Sequence, residues 1–99
     1  MAKILIIDDD DVVLQLLQDI MKKEGFDVFG AKNGREADRV LQREMFDCVI
    51  TDIVMPEKEG VEIIRDLKKR SPDLPVIAIS GGAQIKPEFY LEVAEKLGV

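Results

Sequence analysis

Asp8, Asp9, Asp10 and Asp11 stand in a row after one short apolar run, and Asp52 follows another. Carboxylates gathered at one point repel each other, which raises their pKa values and works against folding. A hard divalent cation relieves that cost. Mg²⁺ suits such a site, because it uses one or two carboxylates, keeps several waters and leaves room for phosphate oxygens. Ser80 closes a third apolar run and is followed by Gly81 and Gly82. A hydroxyl and a backbone N–H there would hold an incoming phosphoryl oxygen, and glycine lets the backbone approach it. Each residue also has a plainer reading. An Asp between strand and helix is often only an N-cap, worth about 1 kcal/mol. Asp10 and Asp11 are assigned to capping or to a solvated helix start. Ser80 alone would be a turn hydroxyl. Asp52 is read as functional because of its joint placement with Asp8 and Asp9.

That placement depends on the elements around it. Ile4 to Ile7 is a continuous apolar run, suited to a strand buried on both faces of a parallel sheet. Val12 to Lys23 has helical spacing, with Val13, Leu16, Leu17, Ile20 and Met21 as its apolar face, and Gly25 is placed to end it. Asp27 to Ala31 is a second, weaker strand. Asn33 then caps a helix that turns Ala37, Val40 and Leu41 inward. Cys48 to Thr51 is the third strand. Gly60 to Lys69 is the third helix, striped by Val61, Ile64 and Leu67 and stopped at Ser71-Pro72. Val76 to Ile79 is the fourth strand, and Pro87-Glu88 opens a fourth helix running to about Leu97. The alternation of strand and helix predicts an α/β fold with a parallel sheet covered by helices on both faces. In such a sheet ligands bind at the carboxyl ends of strands, beside a topological switch point. If the first and third strands are neighbours, Asp8, Asp9 and Asp52 meet there.

Composition narrows the chemistry. The chain has 99 residues, enough for one domain, and a formal net charge of -6. That charge disfavours direct binding to nucleic acid or an anionic membrane. With no histidine, a Ser-His-Asp triad is excluded. Cys48 is the one cysteine, so no internal disulfide forms, and its apolar setting makes it a core side chain. The opening residues are too short an apolar run for a signal peptide or membrane span, so the cytoplasm is the expected location.

Together these motifs resemble the receiver domain of two-component response regulators. The residues that carry the resemblance are Ile4-Leu5-Ile6-Ile7-Asp8-Asp9, then Asp52-Ile53-Val54-Met55-Pro56 with Gly60, then Ala78-Ile79-Ser80-Gly81. The resemblance covers essentially the whole chain. It implies a flavodoxin-like open parallel sheet with strand order 2-1-3-4. It makes Asp52 the phosphoacceptor, taking its phosphoryl group from a sensor histidine kinase or phosphotransfer protein. A carboxylate nucleophile gives an acyl phosphate that water later cleaves. Asp9 matches the direct Mg²⁺ ligand, Asp8 the acidic partner that acts through water, and Val54 the residue whose backbone carbonyl ligates the metal. Ser80 matches the hydroxyl that reports the phosphoryl group, and Gly81 the small neighbour that contacts it. The chain would then be a phosphoacceptor with self-catalysed chemistry, not an enzyme acting on other substrates.

One departure stands out. Receivers end a fifth strand with Lys-Pro and add a fifth helix, whereas this chain stops at Leu97-Gly98-Val99. Lys86-Pro87 opens a helix and does not fill that place. The expectation is a single receiver domain over residues 1–99, truncated before the fifth strand and helix. The fourth strand would be an exposed edge, a template for a homodimer or larger oligomer. Two alternatives remain. One is a fragment that folds and self-associates without signalling. The other is a haloacid-dehalogenase-like phosphatase using Asp8, for which Asp8-Asp9-Asp10-Asp11-Val12 fits the motif but no completing Lys and acidic pair follows. An EF-hand loop lacks its glycine and terminal glutamate.

Overall fold

In the computed structural model, residues 2–52 and 59–79 are described, with backbone alone for 59–64. The elements run β1 (Lys3–Ile7), α1 (Asp11–Lys23), β2 (Asp27–Ala31), α2 (Gly34–Arg43), β3 (Cys48–Asp52), α3 (Glu59–Arg70) and β4 (Val76–Ile79). The strands form one parallel sheet in the order β2-β1-β3-β4. Among the described residues this is the flavodoxin-like arrangement the sequence predicts. The expected helix from Pro87, and the expected loss of a fifth strand, lie outside the described residues.

β1 holds the sheet together because it is apolar on both sides. Ile4 and Ile6 join Cys48, Ile50 and Ile77 under the α1 residues Leu14, Leu17 and Met21. Leu5 and Ile7 face the other way, with Ala31, Val49, Ala37 of α2 and Leu67 of α3. A strand with helices on both faces needs an uninterrupted apolar run, and Ile4 to Ile7 are all fully buried. Cys48 is likewise a free, buried core thiol.

The helix ends follow from local chemistry. Asp10 caps α1, its carboxylate accepting from the amides of Val12 and Val13 at 2.9 and 3.3 Å. Gly25 ends α1 with φ of 92°, a left-handed conformation that suits glycine. Its amide donates to the Lys22 carbonyl, and the Phe26 amide donates back to Met21, which closes the last turn. Asn33 caps α2 through the Glu36 amide at 2.9 Å, and the Glu36 side chain accepts from the Lys32 amide at 2.8 Å.

Two apolar positions differ from the sequence reading. Leu16 is 41% exposed, on the outer side of α1, and Leu14 takes the buried place instead. Both fit a helical period. The inward arc is fixed by where β1 and β3 put their side chains, which periodicity alone does not contain. Val61 and Ile64 of the predicted α3 stripe lie outside the described side chains, while Leu67 is buried as expected. β4 is less enclosed than its sequence suggests: Ala78 is exposed and Val76 and Ile79 are half-buried.

Candidate functional site

Register places the acidic residues. Ile7 of β1 pairs with Thr51 of β3, so the next step along each strand sets Asp8 beside Asp52 at the carboxyl edge. The Asp8 amide still donates to the Ala31 carbonyl at 3.0 Å, so its backbone remains in the β1–β2 ladder. Asp9 follows on the turn into α1. One carboxylate oxygen from each of Asp8, Asp9 and Asp52 lies within 4.8 Å of the others. Asp8 and Asp52 are buried, whereas Asp9 is exposed. The site is therefore open on one side and built into the sheet on the other.

Asp8 is held with one oxygen satisfied. Its Oδ1 accepts from the Asp10 amide at 2.9 Å, while Oδ2 is buried without a hydrogen-bond partner. Loss of water around the carboxylate pushes its pKa up to about 6, the charges of Asp52, Asp9 and Asp10 add to the rise, and the Asp10 amide opposes it. A buried carboxylate oxygen left unpaired is costly unless something binds it. Three converging carboxylates with one orphaned oxygen fit a hard, oxygen-seeking divalent cation.

The structure thus brings together Asp8, Asp9 and Asp52. The other site residues named from the sequence, Val54, Ser80 and Gly81, lie outside the described residues. Asp10 and Asp11 divide as the capping reading requires. Asp10 is the N-cap, and Asp11 sits exposed in the first turn of α1, paired with Lys32 at 3.0 Å. Two features escaped the sequence reading. The Asp10 amide also orients Asp8, so one residue serves both helix and site. Lys32 brings a positive charge to the acidic edge, and its place one residue after β2 was the available signal. A further buried polar group, Thr51, donates its hydroxyl to the Asp52 carbonyl at 3.3 Å.

The comparisons with known proteins bear on this geometry. The sequence pattern of the response regulator receiver domain matches residues 4–98. The chain belongs to the response regulator receiver family. The response regulator receiver protein CpdR of Brucella abortus is 38% identical over 85 residues, which cover 86% of this chain and 71% of that protein. The transcriptional regulatory protein GlrR of Escherichia coli is 38% identical over 84 residues, which cover 85% of this chain but only 19% of GlrR. The chain therefore spans about a fifth of that relative's length. Among solved structures, the response regulator TrrA of Thermotoga maritima, in complex with Mg²⁺-BeF, superposes with a TM-score of 0.85 at 26% identity. That match covers 98% of this chain and 99% of TrrA. Membership assigns the receiver domain to two-component signalling, in which response regulators receive phosphoryl groups from histidine kinases. Receivers bind Mg²⁺ at an acidic pocket, and the Asp8, Asp9 and Asp52 cluster fits one. No helix among the described residues is long and apolar enough to cross a membrane.

Proposed function

We propose that this receiver accepts a phosphoryl group on Asp52 from a phosphohistidine of a sensor kinase or phosphotransfer protein. The observation that carries the reading is the meeting of Asp8, Asp9 and Asp52 at the carboxyl edge of adjacent parallel strands. An Asp52 oxygen forms the new bond to phosphorus as the phosphorus–nitrogen bond breaks, and the imidazole leaves with the bonding pair. The acyl phosphate is later cleaved by water, which returns the carboxylate. Such transfer asks for positioning and charge neutralisation more than for acid–base groups of the protein.

Asp9, Asp8 and Asp52 hold Mg²⁺ in this reading, with the Val54 carbonyl as a further ligand. Bound there, the cation offsets the negative charge of the carboxylates and of the entering phosphoryl oxygens. Asp8 is fixed by the Asp10 amide, and its unpaired Oδ2 is free to receive the ion or a water bound to it. Ser80 and Gly81 contact the phosphoryl oxygens. TrrA, which shares the fold, is known in complex with Mg²⁺-BeF, and this supports a magnesium site here. The chain is a phosphoacceptor that catalyses at most its own phosphorylation and dephosphorylation. It works in the cytoplasm, without direct contact with nucleic acid or membrane. The kinase docks on α1 and the loops beside it.

The experiment is to add acetyl phosphate with Mg²⁺ and weigh the intact protein. A mass gain of one phosphoryl group, absent in Asp52→Asn and absent on chelation, is the expected result. A gain that survives Asp52→Asn but disappears in Asp8→Asn would instead support the phosphatase-like alternative.

A second reading is favoured by one observation. Among the described residues β4 pairs only with β3, and Ala78 is exposed. On this reading the chain keeps the fold and self-associates through that edge as a homodimer or larger oligomer without switching. Oligomers that form while acetyl phosphate leaves the mass unchanged would favour it.

A further inference from the structure

Asp9 is the exposed member of the carboxylate cluster and lies on the turn from β1 to α1. A ligand on an open turn must be ordered when it takes a cation, and that ordering weakens binding unless the turn is already held. This turn is tied on both sides of Asp9. Before it, the Asp8 amide donates to the Ala31 carbonyl at 3.0 Å. After it, the Asp11 carboxylate pairs with the Lys32 ammonium at 3.0 Å. Ala31 and Lys32 are neighbours in sequence, so both ties end at the junction of β2 and α2.

That junction is itself anchored. Ala31 is fully buried and pairs with Ile7 across the β1–β2 ladder. The Lys32 amide donates to the Glu36 side chain at 2.8 Å, and the Glu36 amide donates to the Asn33 side chain at 2.9 Å. Reciprocal bonds of this capping-box kind fix the first turn of α2. Lys32 therefore reaches Asp11 from a held backbone. Asp11 begins α1, two residues after Asp9, so a restraint on it bears on the turn that carries Asp9.

We propose that Lys32 is a positioning residue for the metal site: by holding Asp11 it keeps the Asp9 carboxylate close to those of Asp8 and Asp52 before any cation arrives. The proposal rests on the reading of these three carboxylates as Mg²⁺ ligands. Lys32 acts through Asp11 and is neither a ligand nor a group that touches the reacting atoms. Charge and positioning pull in opposite directions here. An ammonium at the acidic edge repels a cation, so its removal would by charge alone tighten Mg²⁺ binding. Loss of positioning weakens it. The two side chains are 56% and 70% exposed, so the tie has the modest strength of a surface ion pair.

Isothermal titration of the full chain with Mg²⁺ tests this. Lys32→Met should weaken binding by about two- to fivefold, the scale of one exposed ion pair. Lys32→Arg, which keeps the pair, should bind as the wild type does. In an Asp11→Asn background the tie is already gone, so adding Lys32→Met should weaken binding no further. Lys23→Met, which removes the same charge from the last turn of α1, should leave the affinity unchanged. Lys32 is exposed, so its replacement keeps the fold, which circular dichroism verifies. A Lys32→Met chain that binds Mg²⁺ as tightly as the wild type, or more tightly, overturns the proposal, even if its thermal midpoint falls. So does an equal weakening in the Asp11→Asn background. A wild-type chain that takes up no Mg²⁺ instead defeats the metal reading itself, and the proposal with it.

Discussion

Asp8 sits where burial and neighbouring charge both oppose ionisation, and its free oxygen has no protein partner. The free carboxylate has an ordinary pKa near 3.8 and is raised to about 6 in the fold. A raised acid pKa means that the unfolded chain releases this proton more readily. In metal-free protein the group therefore costs stability progressively as pH rises from about 4 to about 6, and the full cost persists above that. Urea unfolding without metal should show stability falling across that window. Asp8→Asn should flatten the slope and add about 1–3 kcal/mol at neutral pH, the scale of that rise. The same variant should bind Mg²⁺ more weakly by isothermal titration. Saturating Mg²⁺ should restore wild-type stability by about 2.7 kcal/mol at a hundredfold excess over its dissociation constant. A metal-free stability that rises between those pH values would contradict the assignment. Asp8, Asp9 and Asp52 were legible because strand-end position is written in apolar runs that stop at an acid. The link from the Asp10 amide to Asp8, and the Lys32–Asp11 pair, were not legible. Both depend on how a turn folds back or on which loops meet at an edge, and spacing does not encode that.

At the scale of elements, the caps separate two functions. Asp10 caps α1 and orients Asp8 through its own amide, whereas Asn33 caps α2 by accepting from the Glu36 amide. Asp10→Ala and Asn33→Ala should each cost about 1 kcal/mol in thermal unfolding. Only Asp10→Ala should also weaken Mg²⁺ binding, because the turn that aims Asp8 loses its anchor. Equal metal affinity in the two variants would argue against that dual role. Gly25→Ala should cost about 1–2 kcal/mol, since its φ of 92° strains any residue with a Cβ. The strands and helices were legible where the apolar pattern was strong or a capping residue marked an end, as at Asp10, Gly25 and Asn33. The inward face of α1 was only partly so: Leu14 and Leu16 both satisfy the period, and tertiary packing selected Leu14. β4 reads as fully apolar, yet its exposure depends on what flanks it in the sheet.

Across the whole molecule, β1 is the shared floor of two cores. Ile6→Ala, fully buried in that strand, should cost about 2–5 kcal/mol. That is a large part of the total stability of about 5–15 kcal/mol typical of small domains. Loss of cooperative unfolding in that variant, followed by tryptophan-free probes such as far-UV circular dichroism, is the expected outcome. Amides of β1 and β3, bonded on both sides, should exchange with solvent more slowly than those of β4. Comparable exchange across the strands would mean that β4 is protected by more than its bond to β3.

The position of β1 has a further bearing on how the chain is made. Lys3 is bonded to Asp47, 44 positions later. The central strand is therefore synthesised some time before β3, one of its two neighbours in the sheet. During that interval Ile4 to Ile7 form an unsatisfied apolar segment in the nascent chain. Translation speed through the region around Cys48 thus sets how long that segment waits for β3. Slow codons before it should raise demand for a chaperone that shields newly made apolar strands.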